Sequence, residues 1–491
     1  MDRQIKKLGI ALVVCFGLLF AQVNYIQFFG AERLNERPDN TREQTREFAR
    51  PRGQILAADG SVLAFSVEER SQFRYRRIYP EGALFGPVTG YYSAILGATG
   101  VERSYGNELS GTTPELRFGN LSDLFVDREN VGNVHLTLRR DVQQIATELL
   151  GDREGSVVAL DPRTGAVDAM VSFPSYDPNP LSSNDTEATD IKTVLDADPE
   201  NPLLFRAYQD IFFPGSTFKV VTASTAVEAG IVTQDSPDYP VQSGFDVDFT
   251  DQDLRNFGGS SCGGTLFEIL RESCNWSFAQ MGVDLGPERM IAGAEAYGFN
   301  AEPPVDLPAP ATSQFPTEFP DDEGNGPLAR ASIGQGDVSA SPLQMALVTA
   351  GIVNGGSVPT PHVMDRVTDE EGEVVSTFAP SEWTRATSAE TADVIRRGMV
   401  EVAQPGGTAE GLQIPGLEVG GKTGTAQLGT DPPRSHAWIL GFAGPPGQPP
   451  EVAVAVIVEG QDGASEQTGG RVAAPIARAV MEAVLAARGG Q

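Results

Sequence analysis

Cysteine and histidine are scarce in this chain, which has only three of each among 491 residues. Three cysteines cannot cross-link a chain of this length, so a disulfide scaffold is excluded, and the histidines show no zinc-ligand spacing. We therefore expect no structural metal and no cofactor. The cysteines are Cys15, Cys262 and Cys274, and the histidines are His135, His362 and His436.

Positive charge is also in short supply. The sequence has 36 Lys and Arg against 66 Asp and Glu, which gives a formal net charge of -30. Such a chain repels a phosphate backbone, so nucleic acid is a poor partner. Lysine is rarest, at positions 6, 7, 192, 219 and 422 only. Because a buried lysine can lose its proton and an arginine cannot, each lysine is a candidate chemical group.

One long apolar run lies near the N-terminus, from Leu8 to Phe29, without a formally charged residue. As a helix it measures about 33 Å, just enough to cross a bilayer. The alternative is a cleaved signal peptide with Ala21 as its cleavage point, but bulky Leu19 at the -3 position argues against it. We predict an uncleaved anchor with a cytoplasmic tail over residues 1–7. The rest of the chain is expected outside, because long domains translocate largely regardless of flanking charge.

The remaining chain divides into two predicted domains, over residues 30–150 and 151–491. Arg and Glu alternate from Glu32 to Arg50, which indicates an exposed helix or linker. Strands from both ends of the second domain, with terminal helices, predict an antiparallel sheet with helical cover, an α+β fold. The predicted strands and helices are strands over 52–55, 61–66, 156–160, 166–171, 437–443 and 452–458, and helices over 136–150 and 472–487.

A serine and a lysine stand three residues apart at the start of a predicted helix that runs to Gly230. Because residues three apart share a helix face, Lys219 should stack near Ser216. A buried lysine beside other cations could accept the serine proton, and the helix N-terminus could offer N–H groups to an oxyanion. Alone, this S-x-x-K pattern equally fits a helix-capping serine and a surface lysine.

Two further motifs favour the catalytic interpretation of Ser216 and Lys219. Ser273-Cys274-Asn275 follows a helical stretch, and Lys422-Thr423-Gly424-Thr425 precedes the last two strands. S-x-x-K, S-x-N and K-T-G in this order are the motif set of penicillin-interacting serine enzymes. A hydroxyl and an amide in the second motif can relay protons and hold a peptide carbonyl, and the third offers a cation and hydroxyls to a carboxylate.

With these motifs the chain resembles the class B penicillin-binding proteins, the membrane-anchored D,D-transpeptidases of the bacterial cell wall. The likeness covers nearly the whole chain and includes Arg52-Gly53-Gln54-Ile55, Ile333-Gly334-Gln335-Gly336 and His436-Ala437-Trp438. It implies a penicillin-binding fold behind an N-terminal pedestal or dimerisation-type module. The resemblance implies Ser216 as the nucleophile and Lys219 as its base, with Ser273 and Asn275 as the groups of the second motif. It also implies a substrate-carboxylate site made of Lys422, Thr423, Gly424 and Thr425. The backbone N–H groups of Ser216 and Thr425 would form the oxyanion hole.

The resemblance also implies the partners. They are peptidoglycan stem peptides, β-lactams, the membrane, a SEDS-type glycosyltransferase and other wall-synthesis proteins that divide or shape the cell. An extracytoplasmic site is oxidising, so we predict a disulfide between Cys262 and Cys274, with two free buried thiols as the alternative.

Three other functions stay open at this stage. Gly416–Thr423 matches the phosphate-binding pattern G-x-x-x-x-G-K-[ST], but Gly424 and the prolines at 432 and 433 oppose the helix that such a loop needs. A β-lactamase would need a means of rapid hydrolysis, and no E-x-x-x-N element lies between Asn275 and Lys422. A penicillin sensor or non-catalytic wall scaffold could carry the same triplets.

Overall fold

The computed structural model describes residues 2–25, 48–70, 73–117, 130–249, 253–430, 434–461 and 467–489. Most of the predicted linker from Glu32 to Arg50 lies outside these residues. The chain forms two compact units, one of residues 1–51 and 67–76, and the other of residues 52–66 and 77–491.

The first unit contains the N-terminal helix α1, Asp2–Tyr25. Its Arg3–Tyr25 stretch has a mean hydropathy of 1.9 and is long and apolar enough to cross a membrane. The polar Asn24 side chain donates to the carbonyl of Phe20 at 2.7 Å, which satisfies one of its N–H bonds inside the helix. Anchors and signal sequences share this length and composition, so an uncleaved anchor stays a prediction.

Most strands of the two large sheets belong to the second unit. One has five antiparallel strands in the order β9-β10-β11-β5-β6, and the other has six in the order β8-β7-β4-β1-β2-β3. The strands are β1 Ile55–Leu56, β2 Val62–Glu68, β3 Tyr75–Ile78, β4 Asn133–Leu136, β5 Gly155–Leu160, β6 Val167–Phe173, β7 Met364–Thr368, β8 Val374–Thr377, β9 Glu418–Gln427, β10 Ser435–Gly444 and β11 Val452–Val458.

The five-stranded sheet confirms the predicted α+β fold. β5 and β6 form the hairpin that the sequence predicts, with Val157 opposite Val171. β11 joins this hairpin to β10, and all seven of its residues are buried, which explains its continuous apolar sequence.

Helices cover this sheet. α2 and α10 pack against each other and against the sheet, and α8, buried at every residue, packs against β5, β10 and β11. The longer helices are α2 Arg140–Leu150, α3 Glu187–Asp196, α4 Lys219–Glu228, α5 Leu266–Glu272, α6 Asn275–Leu285, α7 Pro287–Ala296, α8 Pro342–Val353, α9 Ala389–Ala403 and α10 Ala474–Gly489.

The six-stranded sheet crosses the domain boundary predicted at residue 150. β4 pairs in parallel with β1 and antiparallel with β7, which comes more than 200 residues later in the chain. The N-terminal module therefore takes two of its strands, β7 and β8, from the second half of the sequence. Local sequence patterns do not reveal such a distant pairing.

Candidate active site

Ser216 lies in a 3₁₀ turn, Gly215–Thr217, directly before α4. The sequence prediction put it in the first turn of the α-helix, so the helix starts slightly later than expected. Gly215 explains the difference: its φ of +52° is left-handed, and a Cβ there would lie 3.2 Å from Ala426. The turn presents Ser216, partly exposed, at the edge of a cavity of about 670 Å³.

A tryptophan and a histidine on β10 pack against the segment that directly precedes this turn. Trp438 Nε1 donates to the Phe213 carbonyl at 3.0 Å, and the Phe212 ring packs edge-on against both His436 and Trp438. His436 Nδ1 accepts from the Gly460 N–H at 3.2 Å. Burial lowers the pKa of His436 to about 4, so this imidazole is neutral and packs rather than titrates near neutral pH.

The second motif lies between two helices. α5 ends at Ser273, whose φ of 60° places it in the left-handed conformation, and α6 begins two residues later at Asn275. Cys274 between them is bonded to Cys262, as predicted. The Trp276 indole donates to the Cys262 carbonyl at 2.7 Å, which ties the same loop to α6 a second time.

Lys219 joins the first motif to the second. Its Nζ donates to the Ser273 carbonyl and to Asn275 Oδ1, both at 2.7 Å, and lies 3.4 Å from Ser273 Oγ. The side chain is fully buried, and no acidic residue in the described parts of the chain pairs with it. Burial, and then the nearby positive charge of Lys422, hold the pKa of Lys219 well below its ordinary value.

Lys422 brings in the third motif from the middle of β9. Its Nζ donates to Ser273 Oγ at 2.8 Å and to the Thr423 carbonyl at 3.0 Å. Burial lowers its pKa to about 7. Because Lys422 lies inside a strand and no helix follows it, the segment is not a phosphate-binding loop.

Gly424 lets β9 approach the nucleophile turn. A Cβ at this position would lie 2.9 Å from the Pro214 carbonyl oxygen and 2.8 Å from the Trp438 side chain. The neighbouring Thr423 and Thr425 line the same cavity as Ser216. Three segments, the first and last of them more than 200 residues apart in the chain, therefore meet around one opening.

The rest of the cavity wall was not predicted from the sequence. Its lining includes Arg255, Asn256, Phe257, Arg330 and Gln335. Gln335 belongs to a segment that the family likeness singled out, whereas 255–257 carry no recognisable motif. Their only signal is indirect, since they precede Cys262, which is bonded to the second motif.

Comparisons with known proteins agree with this geometry. Residues 155–482 match the penicillin binding protein transpeptidase domain, and residues 52–134 match the penicillin binding protein A dimerisation domain. Peptidoglycan D,D-transpeptidase PbpA of Mycolicibacterium smegmatis is 38% identical, over 99% of each chain. PbpA of Mycobacterium tuberculosis is 36% identical, again over 99% of each chain.

Solved structures extend the likeness to three dimensions. The penicillin G acyl-enzyme complex of penicillin-binding protein A from M. tuberculosis matches with a TM-score of 0.79 at 36% identity, covering 89% of this chain and 100% of that one. Because the transpeptidase model spans two thirds of the sequence and relatives match along their whole length, the chain belongs to the class B penicillin-binding proteins, which are serine transpeptidases.

Proposed function

We propose that this chain is a peptidoglycan D,D-transpeptidase that works through an ester on Ser216. The observation that carries the proposal is the direct contact between its three motifs, in which Lys219 and Lys422 both reach Ser273 beside the cavity that Ser216 lines. No described residue hydrogen-bonds to Ser216 Oγ, so the hydroxyl is available to a substrate.

Lys219 is the proposed general base. A neutral amine has two N–H bonds and one lone pair, and both N–H bonds are engaged, by the Ser273 carbonyl and Asn275 Oδ1. The lone pair is then left to accept a proton, and we assign to it the proton of Ser216. Ser273 Oγ, 3.4 Å from the amine, is its other hydroxyl neighbour. Burial and the charge of Lys422 lower the pKa of Lys219, which favours the neutral amine that this step needs.

The acylation step follows from this arrangement. Ser216 Oγ bonds to the carbonyl carbon of the penultimate D-Ala, its proton passes to Lys219, and the Ser216 and Thr425 N–H groups hold the oxyanion. The bond to the terminal D-Ala nitrogen then breaks. That nitrogen takes a proton through Ser273, whose hydroxyl lies between the two lysines. β-Lactams acylate the same hydroxyl.

Lys422, Thr423 and Thr425 are the proposed carboxylate site. Charged Lys422 attracts the terminal carboxylate of the stem peptide, and the two threonines on β9 offer hydroxyls at the cavity wall. In the second half of the reaction, an amine from a neighbouring stem attacks the ester, restores the Ser216 hydroxyl and forms the cross-link.

The surrounding organisation is also a proposal. The N-terminal segment over 8–29 anchors the chain, residues 1–7 stay in the cytoplasm, and the catalytic domain over 151–491 acts outside. The N-terminal module over 30–150 serves as a pedestal. A SEDS-type glycosyltransferase that supplies glycan strands is the proposed partner, met through the anchor and the pedestal.

Mass spectrometry after incubation with penicillin tests the assignment. The acyl group should be found on Ser216, and Ser216→Ala should abolish labelling. Lys192→Ala is the matched control, because Lys192 lies on the surface of α3, paired with Asp196, and its loss should leave labelling intact. Acylation at another residue would refute the site. An acylated protein that forms no cross-links from stem peptides would favour a sensor or scaffold.

A further inference from the structure

The side chain of Asn256 holds three segments together beneath the start of α6. Its Oδ1 accepts hydrogen bonds from the backbone N–H groups of Asn275, at 2.9 Å, and Trp276, at 3.2 Å. Its Nδ2 donates to the carbonyls of Gln242 and Ser260, both at 2.9 Å. Asn256 is 4% exposed, and these four bonds use the full capacity of its amide.

α6 needs such an external partner because its own N-cap residue cannot serve. The first N–H groups of a helix have no partner inside it, and a polar side chain at the N-cap position usually accepts from them. Here the N-cap is Cys274, whose sulfur is bonded to Cys262 and makes no capping hydrogen bond. Asn256 supplies the missing acceptor from a different segment.

Asn256 and its neighbour also determine which way the Asn275 amide faces. The Asn275 backbone N–H is held by Asn256, and its Nδ2 donates to the Arg255 carbonyl at 2.8 Å. With the nitrogen engaged there, the Asn275 oxygen is directed at Lys219 Nζ, 2.7 Å away. Residues 255 and 256 therefore fix the acceptor that orients the amine of Lys219.

We propose that Asn256 is a positioning residue of the acylation step, acting through Asn275 on Lys219. The inference rests on the proposed function, in which Lys219 is the base. Without the Asn256 amide, the start of α6 loses its acceptor and Asn275 is free to turn. Lys219 then loses one of its two 2.7 Å hydrogen bonds, and with it a constraint on the position of its amine.

A double-mutant cycle on the full-length protein tests this coupling. The second-order rate constant for acylation by fluorescent penicillin is measured for Asn256→Ala, Asn275→Ala and the double variant. Asn256→Ala should lower it by about 10- to 100-fold, as small misplacements of catalytic groups do. In the Asn275→Ala background the same change should cost almost nothing, because its effect passes through Asn275. The proposal would be overturned if the Asn256→Ala rate were unchanged. It would also be overturned if the rate loss in the double variant equalled the product of the two single-variant losses.

Asn179→Ala is the matched control. The Asn179 amide also makes two hydrogen bonds to backbone atoms, with the N–H and carbonyl of Tyr79 at 2.9 Å each, but it does not line the cavity. Its loss should lower the melting temperature and leave the acylation rate unchanged. A large fall in the acylation rate of this control would show that the loss of any backbone-bonded amide slows acylation, which would overturn a specific role for Asn256.

Asn256→Asp provides a second measurement if the alanine variant does not fold. It keeps an oxygen that accepts from the Asn275 and Trp276 N–H groups but loses the two N–H bonds that hold the side chain on the Gln242 and Ser260 carbonyls. Acylation should be slower than in the wild type, and the same change should cost almost nothing in the Asn275→Ala background. A wild-type rate in Asn256→Asp, or an equal loss in both backgrounds, would contradict the proposal. Ser216→Ala, measured in parallel, separates the two ideas, because residual labelling there would refute the nucleophile itself and not only the role of Asn256.

Discussion

Two clusters of buried basic side chains among the described residues are built in opposite ways. In the N-terminal module, Arg52 and Arg77 flank Glu102, with nitrogen–oxygen distances of 3.0 and 2.5 Å. In the active site, Lys219 and Lys422 lie buried around Ser273 with no acidic partner among the described residues. Both clusters are removed from water, but only the first contains a carboxylate.

The residue types explain the contrast. An arginine keeps its proton inside a protein, so burying it requires a partner such as Glu102. A buried lysine without an acid can instead release its proton, which lowers its pKa and yields a base. In this chain, buried arginines that pair with an acid therefore stabilise the fold, and buried lysines without an acid are the candidates for catalysis.

Replacement of Lys219 should have the largest effect on activity. Lys219→Met removes the base but keeps an apolar side chain of similar length, so penicillin acylation should fall by about 10²- to 10⁴-fold. The melting temperature should change little, because the desolvation cost of a buried amine is removed while its hydrogen bonds to Ser273 and Asn275 are lost. Acylation kinetics and thermal unfolding measure the two quantities. A large drop in melting temperature would show that Lys219 is needed for stability, as the arginine cluster is, and would contradict the difference drawn between them.

Replacement of Glu102 should have the reverse outcome. Glu102→Gln leaves two arginines buried without a counter-charge, which should lower the free energy of unfolding by about 3 to 5 kcal/mol. Acylation per folded molecule should be unchanged, because Glu102 contacts Arg52, Arg77 and Tyr79 rather than the cavity. Denaturant unfolding and active-site titration check both statements. Loss of acylation in the folded variant would show that the cluster also has a catalytic role.

The pH dependence of acylation should reflect the protonation states of both Lys219 and Lys422. Lys219 must be neutral to accept a proton, so the rate should fall as the pH drops through its lowered pKa. Lys422 must be charged to attract a carboxylate, so the rate of the free enzyme should also fall as the pH rises through about 7. The acylation rate constant measured across this range should be bell-shaped. Lys422→Arg, which cannot lose its proton, should remove the alkaline fall, and its persistence would refute the assignment.

A surface pair should show the smallest effect. Arg478 and Glu482 lie one turn apart on α10 at 3.1 Å, with both side chains more than 40% exposed. Glu482→Gln should change the free energy of unfolding by less than about 1 kcal/mol. Denaturant unfolding is measured for this variant and for Glu102→Gln. Because each variant loses one carboxylate charge, Glu482→Gln is the control for the removal of charge alone. Equal losses in the two variants would show that burial is not what distinguishes Glu102.

The sequence was most informative where chemistry needs particular residue types at short spacing. The order and composition of the motifs predicted that Ser216, Lys219, Ser273, Asn275 and Lys422 act together. Four strands of the five-stranded sheet followed from apolar runs bounded by turns, whereas β9, the glycine- and threonine-rich strand that carries Lys422, was not predicted. Asn256 escaped prediction because three of its four hydrogen bonds reach residues 14 to 20 positions away, which no local pattern reveals. The 3₁₀ turn at Ser216 also depends on tertiary contacts, since Gly215 packs on Ala426 in β9.

The entry of β7 and β8 into the N-terminal sheet has a practical consequence for dissecting the gene. A fragment that starts at residue 151 would keep β7 but lose β4, leaving a bare strand edge that favours aggregation. A fragment that ends at residue 150 would lack the strand that covers β4 on its other side. Recombinant versions without the anchor should therefore begin near Arg52 and keep both halves, and exchanges with relatives should transfer residues 364–377 together with the N-terminal module.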